Sequence, residues 1–289
     1  MSASSSASLV SNEWFVSAAW LAEHLDDSTI TLLDARMLPP GETTRDIHAE
    51  YRAGHIPGAV FFNIETLSDH RTDLPHMMPD SDDFSRAMSG LGVSHQQHLV
   101  IYDEGNLFSA PRAWWMLHTF GVEKISILAG GLAGWKNQNL PLEQGTVERA
   151  PAVFDARANE KAIRQRDEVL AISRDHSAQI IDARPAARFN GEMDEPRPGL
   201  HRGHIPGSLN VPWGDLVANG ALKPNVELAA ILHKHGVDFS RPVVASCGSG
   251  VTACVVILAL HVLNVANVTL YDGAWSDWGS RNDLPITLD

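Results

Sequence analysis

Short apolar runs bounded by turn-forming residues recur along the chain and predict the strands of parallel sheets. Most positions within each run are apolar, rather than every second one, which is typical of strands that are covered on both faces. Six runs have this pattern: residues 30–35, 99–103 and 125–128 in the first half, and residues 179–183, 242–246 and 268–271 in the second.

Helical patterns lie between these runs. Residues 109–120 form one of them, and Gly121, which follows directly, is a typical residue for the end of a helix. Its Trp114, Trp115 and Met116 indicate core or interface packing. Residues 252–263 are apolar almost all round, which predicts a helix buried on every side. Strands that alternate with helices predict an α/β fold, with helices flanking mainly parallel sheets.

The two halves of the chain repeat each other. Because the repeat unit has the size of a domain, the sequence predicts one domain at 1–145, a polar linker at 146–164 and a second domain at 165–289. The last two of the matches given below share an offset of 143 residues between the halves, and this offset places Glu104 at the position of Cys247. Four matches occur in the same order in both halves: LLDAR at 32–36 with IIDAR at 180–184, HIPGA at 55–59 with HIPGS at 204–208, the strand and turn at 100–105 with 243–248, and Gly130 and Trp135 with Gly273 and Trp278.

Composition restricts the classes of partner. The 289 residues include 35 Asp or Glu and 22 Lys or Arg, a net charge of −13. This charge gives no general attraction to nucleic acid or anionic lipid, so an anionic substrate would need a local cationic pocket. The longest apolar run, 253–260, is shorter than a membrane span, and the first residues lack a secretory signal. Two cysteines exclude a disulfide framework, and we expect a cytoplasmic protein with no nucleic-acid or membrane partner.

Cys247 is the strongest candidate for a reactive group. It follows an apolar strand and precedes a glycine-rich turn that leads into the apolar helix. Gly248 and Gly250 allow positive φ angles and a close approach of the backbone, so that successive N–H groups can point inward and form an anion site at the helix N-terminus. A thiol in such a site ionises more readily than a free cysteine. Cys254 lies within the apolar helix and is expected to be core packing.

The run Cys247 to Thr252, CGSGVT, resembles the active-site loop of the rhodanese superfamily, and within it the loop of the 3-mercaptopyruvate sulfurtransferases. The resemblance extends to the DAR and HIPG repeats in both halves and to YDGAW at 271–275. It implies two tandem rhodanese-like domains, of which the second is catalytic and the first lacks the cysteine.

This resemblance also implies a reaction. The Cys247 thiolate would take sulfur from 3-mercaptopyruvate, release pyruvate and remain as a persulfide, whose outer sulfur passes to a thioredoxin-like dithiol, a small thiol or cyanide. Ser249 and the loop residues Gly248, Gly250, Val251 and Thr252 would bind substrate or stabilise negative charge. The resemblance implies no cofactor.

Other residues gain roles from the same resemblance. Arg188 and Arg197 match arginines that hold the substrate's carboxylate and carbonyl, a role suited to the planar guanidinium. Glu65 and His76 match an acidic residue and a histidine that form an activating network with the loop serine. They lie in a segment, 65–80, where the first half carries about six extra residues. We expect this loop to reach across to the second half and cover the site.

Several alternatives are weighed against this interpretation. A thiosulfate sulfurtransferase carries cations directly after the cysteine, where this chain has Gly248 and Ser249, so thiosulfate is expected to be a weak secondary donor. A rhodanese-like phosphatase needs Arg at the sixth position after the cysteine, where this chain has Ala253. A non-enzymatic persulfide carrier or interaction module would not turn over the donor.

Repeated residues are expected to be structural. His55 and His204 occur in both halves, including the half without the cysteine, and Arg184 repeats Arg36, which indicates an ion pair common to both domains. The fourteen histidines show no metal-ligand spacing, and no nucleotide-binding motif is present.

Overall fold

A computed structural model describes residues 14–288 and contains two sheets of five parallel strands, one in each half. The prediction of an α/β fold with helices flanking parallel sheets is confirmed. The expected absence of a secretory signal falls on residues outside this range. No helix among the described residues has the length and apolar character needed to span a membrane.

The described strands are β1 Phe15–Val16, β2 Ile30–Asp34, β3 Val60–Phe61, β4 His98–Tyr102, β5 Ile125–Leu128, β6 Ile163–Arg164, β7 Gln179–Asp182, β8 Leu209–Asn210, β9 Val217–Ala218, β10 Ala221–Leu222, β11 Val243–Ser246 and β12 Val268–Tyr271. The first sheet has the strand order β1-β5-β4-β2-β3, and the second has the equivalent order β6-β12-β11-β7-β8. The strands β9 and β10 form a short antiparallel hairpin, and the Gly220 carbonyl in its turn accepts the N–H of Gly130 from the first half.

Ten α-helices accompany the strands within the described residues. They are α1 Ala18–Glu23, α2 Ile47–Ala53, α3 Ser81–Gly90, α4 Ala110–Thr119, α5 Gly131–Asn137, α6 Arg166–Asp175, α7 Ala186–Phe189, α8 Asn225–Lys234, α9 Ala253–Val262 and α10 Ala274–Trp278. All six predicted strands and both predicted helices are present, with bounds that differ by at most one residue at each end.

One hydrophobic core joins the two halves. Helices α4 and α9 pack against each other, and the residues of α9 from Ala253 to Leu260 are all buried. The buried Trp114 and Trp115 of α4 belong to the same cluster as α9. The prediction of a helix buried on every side is therefore confirmed, because α9 is covered by its own sheet on one side and by the first half on the other. This packing brings the carboxyl ends of β4 and β11 toward a common cleft.

The predicted linker, 146–164, is not a free connection. Its backbone bonds to the first half, where Ala152 N–H donates to the Ser89 carbonyl and Arg157 N–H donates to the Phe120 carbonyl. Its last two residues form β6, the edge strand of the second sheet, so strand structure begins before the predicted start of the second domain. A two-residue edge strand has too little pattern to be recognised from sequence. The domain boundaries themselves stay a prediction.

The strand register corrects one sequence match. In the first sheet Tyr102 pairs with Asp34, and in the second Ser246 pairs with Asp182 of the repeated DAR motif. The residue after each of these strands is therefore Asp103 in the first half and Cys247 in the second. The expectation that Glu104 takes the place of Cys247 is wrong, because the first loop is one residue longer and shifts the alignment between strand and helix.

Candidate active site

A cavity of about 680 Å³ lies at the carboxyl end of β11, between the two halves. Cys247, Gly248, Ser249, Val251 and Thr252 line one side of it. Arg188 and Arg197 from the second half, and Glu65 and His76 from the first, complete the wall. The structure thus brings together nine of the ten candidate site residues. Gly250 lies behind the loop, where an added Cβ would be 3.0 Å from Arg112 Nη1 and 3.2 Å from the Asp272 carbonyl oxygen.

The first two carbonyl groups of the loop that begins at Cys247 are bonded to helix α10. The Cys247 carbonyl accepts from Trp275 N–H, and the Gly248 carbonyl accepts from the backbone and hydroxyl of Ser276. Within residues 14–288, the N–H groups of 248–252 donate to no acceptor. Unused N–H groups in a tight turn form an anion site, so the loop can hold negative charge beside the Cys247 sulfur.

Only one of the two loop glycines uses the backbone freedom that glycine allows. Gly250 has a φ of +76°, in the left-handed region that favours glycine. Gly248 does not have a positive φ. One left-handed residue suffices to reverse the turn before α9 begins.

The equivalent loop of the first half contains its own anion. The Asp103 carboxylate accepts N–H bonds from Gly105 at 2.9 Å, Leu107 at 3.3 Å, Ser109 at 3.1 Å and Ala110 at 3.2 Å. In the first domain a loop at the same place in the fold therefore surrounds negative charge with backbone amides. In the second half, the residue at this position is Cys247 rather than a carboxylate.

Ser249, His76 and Glu65 form a hydrogen-bonded chain across the two halves. Ser249 Oγ lies 2.9 Å from His76 Nδ1, and His76 Nε2 lies 2.8 Å from Glu65 Oε1. The hydrogen bond from His76 lowers the pKa of Glu65, so its carboxylate is ionised and can only accept. The hydrogen in the bond between His76 and Glu65 therefore sits on His76 Nε2. When the ring is neutral, Nδ1 carries no hydrogen and can accept from the Ser249 hydroxyl. The 65–80 segment reaches the second half, as predicted.

Arg112 fixes this arrangement from behind, and its role was not predicted from the sequence. Its fully buried guanidinium lies 2.8 Å from Asp272 Oδ1 and also donates to the carbonyl oxygens of Gly250 and His76. Asp272 Oδ2 accepts the N–H of Met78 at 2.6 Å. One ion pair thus joins the cysteine loop, the His76 loop and helix α4. The sequence contained one signal for this role, which is an arginine within an otherwise apolar helix pattern.

The two candidate clamp arginines line the same cavity as the loop. Arg188 belongs to α7, and its Nη1 is 3.9 Å from Oε2 of Glu195. Burial lowers the pKa of Arg197. Glu195, another residue that sequence reasoning missed, also pairs with Arg184 at 2.7 Å. Arg184 makes the expected structural pair with Asp182, as Arg36 does with Asp34.

The remaining candidates have structural roles. Cys254 is buried and its thiol donates to the Gly250 carbonyl, and burial raises the pKa of this thiol. His55 Nδ1 bonds the Tyr51 carbonyl and His204 Nδ1 bonds the Phe189 carbonyl, each at 2.9 Å and with stacked rings. Among the described residues, no group of three or more His, Cys, Asp or Glu side chains is arranged to hold a metal ion.

Comparison with known proteins places this site in a family. The model of the rhodanese-like domain matches residues 17–138 and 165–281. The 3-mercaptopyruvate sulfurtransferase of Escherichia coli (strain K12) is 61% identical over 277 residues, which cover 96% of this chain and 99% of that protein.

A second relative and a solved structure also match over nearly the whole chain. The 3-mercaptopyruvate sulfurtransferase of Mus musculus is 41% identical, with 92% of each chain covered. The crystal structure of SseA from Escherichia coli, described as a 3-mercaptopyruvate sulfurtransferase, superimposes with a TM-score of 0.85 at 60% identity, covering 91% of this chain and 98% of that one. The chain belongs to the rhodanese family, with one rhodanese-like domain in each half.

Proposed function

We propose that the protein is a 3-mercaptopyruvate sulfurtransferase with Cys247 as its nucleophile. The observation that carries the proposal is the position of Cys247: it lies in a loop whose N–H groups have no acceptor among residues 14–288, and it shares a cavity with Arg188 and Arg197. The relatives from Escherichia coli and Mus musculus, named for this activity, support the same donor.

The first half-reaction transfers one sulfur atom and one proton. The Cys247 thiolate attacks the donor sulfur, a new S–S bond forms, and the donor's C–S bond breaks. The electron pair of that bond remains on carbon as the enolate of pyruvate. The donor's thiol proton then passes to this carbon, which becomes the methyl group of pyruvate. The enzyme is left with a Cys247 persulfide, and no external oxidant or reductant is needed.

The surrounding residues have separate tasks in this scheme. Arg188 and Arg197 pair with the carboxylate and carbonyl oxygen of the donor, since a guanidinium offers two parallel N–H groups. The N–H groups of the loop stabilise charge on the enolate and on the persulfide. The Ser249 hydroxyl relays the proton from sulfur to carbon, and its hydrogen bond to His76, which is in turn bonded to Glu65, orients the hydroxyl for this transfer.

The second half-reaction requires an acceptor, which we propose to be a dithiol of the thioredoxin type or a small thiol. Its thiolate attacks the outer sulfur of the persulfide, and the Cys247 thiolate leaves. Cyanide would react at the same atom. We also propose a cytoplasmic location, which is supported by the free thiols of Cys247 and Cys254.

Thiosulfate is the less favoured donor. It carries two negative charges, whereas Gly248 and Ser249 add no cation beside the nucleophile. A thiosulfate sulfurtransferase from Gallus gallus is 38% identical to this chain, so both donors belong in the test.

The test is steady-state kinetics with each donor and a dithiol acceptor. We expect pyruvate release from 3-mercaptopyruvate to exceed thiosulfate turnover, to disappear in Cys247→Ser and to persist in the matched control Cys254→Ser. Pyruvate release that survives Cys247→Ser, or a preference for thiosulfate, would overturn the proposal.

A further inference from the structure

We propose that Glu195 sets the net charge of the donor pocket and so favours a singly charged donor over a doubly charged one. The proposal rests on the proposed function and deepens it, because it assigns donor selection to a residue that does not contact the donor. Glu195 acts through its arginine neighbours and is a specificity-determining residue, not a catalytic one.

Glu195 is a buried carboxylate shared between two arginines. Its side chain is 3% exposed, with Oε1 2.7 Å from Arg184 Nη1 and Oε2 3.9 Å from Arg188 Nη1. The longer contact is an ion pair without a hydrogen bond, so the N–H groups of Arg188 stay available to a donor. Electrostatic interactions between buried charges are weakly screened, which allows Glu195 to act across the pocket.

Arg184 does not need Glu195 to stay in place. Its guanidinium makes three hydrogen bonds to Asp182, donates to the Gly203 carbonyl at 2.8 Å and lies 4.3 Å over the Trp275 ring. The repeat supplies a comparison, since Arg36 in the first half is held by Asp34 and one backbone carbonyl. The described residues give Arg36 no salt bridge to a second carboxylate. Glu195 is therefore an addition specific to the half that carries Cys247.

The charged side chains that line the cavity nearly balance. They are five arginines and four carboxylates: Arg36, Arg45, Arg184, Arg188, Arg197, Glu42, Glu65, Glu104 and Glu195. The Cys247 thiolate of the proposed reaction adds a fifth negative charge. A singly charged 3-mercaptopyruvate binds to this set through oriented arginine N–H groups, whereas a dianion gains no large excess of positive charge. If the charge of Glu195 is removed, the set gains one net positive charge, and the doubly charged donor benefits about twice as much as the singly charged one.

The experiment compares kcat/KM for 3-mercaptopyruvate and thiosulfate in Glu195→Gln. The amide oxygen can still accept from Arg184, so only the charge is lost. We expect the ratio of thiosulfate to 3-mercaptopyruvate kcat/KM to rise about tenfold. Glu192→Gln, an exposed change of equal charge in the same loop, should leave the ratio unchanged. Glu195→Asp keeps the charge and should keep the wild-type ratio even if both rates fall.

A binding measurement separates this proposal from the proposed function. Protection of Cys247 against alkylation reports the affinity for pyruvate, a monoanion, and for sulfate, a dianion, whether or not the protein turns over either donor. We expect Glu195→Gln to tighten the binding of sulfate about tenfold more than the binding of pyruvate. The role of Glu195 would be overturned if the affinities for both anions changed equally and the ratio of kcat/KM for the two donors stayed unchanged. A wild-type protein that releases no pyruvate would overturn the proposed function alone.

Discussion

The buried ion pair between Arg112 and Asp272 offers the sharpest test of how the two halves hold the site. Arg112→Met keeps an unbranched apolar stem but removes the guanidinium. The Asp272 carboxylate, only 3% exposed, then keeps the N–H of Met78 as a partner but loses its counter-charge. Removing one partner of a buried pair costs about 3–5 kcal/mol, because the other charge remains buried and uncompensated. The carbonyl groups of Gly250 and His76 lose a donor as well.

The magnitude is measured by urea unfolding, followed by tryptophan fluorescence. We expect Arg112→Met to lower the free energy of unfolding by about 3–5 kcal/mol, whereas the double variant with Asp272→Asn recovers part of this loss because no unpaired charge remains. Arg86→Met is the matched control, since Arg86 pairs with Asp83 on the surface with 74% of its side chain exposed. Its expected effect is below about 1 kcal/mol. A loss in Arg112→Met no larger than in this control would refute the reasoning.

Three further predictions concern the donor and the pH dependence of stability. Arg188→Ala and Arg197→Ala should each raise KM for 3-mercaptopyruvate about tenfold to hundredfold, because each removes about 1.5–3 kcal/mol of charge-assisted hydrogen bonding. The KM for thiosulfate should rise less. Steady-state kinetics with equal effects on both donors would contradict the assignment of these arginines to the donor's carboxylate and carbonyl. Gly248→Arg combined with Ser249→Lys should raise thiosulfate turnover relative to 3-mercaptopyruvate, since a Cβ at Gly248 meets no atom within 4 Å; an unchanged ratio counts against the charge argument. Burial lowers the pKa of His261 to about 4 from about 6.5 in the unfolded chain, so the unfolded state binds the proton first and stability falls as pH drops from about 6.5 toward about 4. Urea unfolding at about pH 7 and about pH 5 should show a smaller decrease in His261→Phe than in the wild type, and an equal decrease would show that His261 is not the group responsible.

Much of the fold follows from local pattern. The six predicted strands and helices α4 and α9 are readable because burial on both faces leaves continuous apolar runs, which need no knowledge of distant residues. The repeated DAR and HIPG motifs show the duplication directly. Strand β6 was missed because two residues at a sheet edge carry no period, and Glu104 was matched to Cys247 because a one-residue loop insertion is invisible until the strand register is known.

The candidate site, like the fold, was predictable from the sequence only in part. Cys247 and its loop are contiguous, so the sequence alone shows a strand, a glycine-rich turn and a helix in order. The partners that orient the loop are distant along the chain, as with Arg112 and Asp272, and pairing across such separations depends on how the two sheets pack. Glu195 was missed because an acidic residue in a polar loop resembles any exposed one, and only its burial against Arg184 distinguishes it.

Mass spectrometry shows directly whether Cys247 carries the transferred sulfur. The protein is mixed with 3-mercaptopyruvate without an acceptor, alkylated and digested, and the masses of the peptides are measured. We expect the mass of one additional sulfur atom on the Cys247 peptide in the wild type and in Cys254→Ser, and no added sulfur in Cys247→Ser. Pyruvate release without added sulfur at Cys247, or with the sulfur at Cys254, would contradict this expectation.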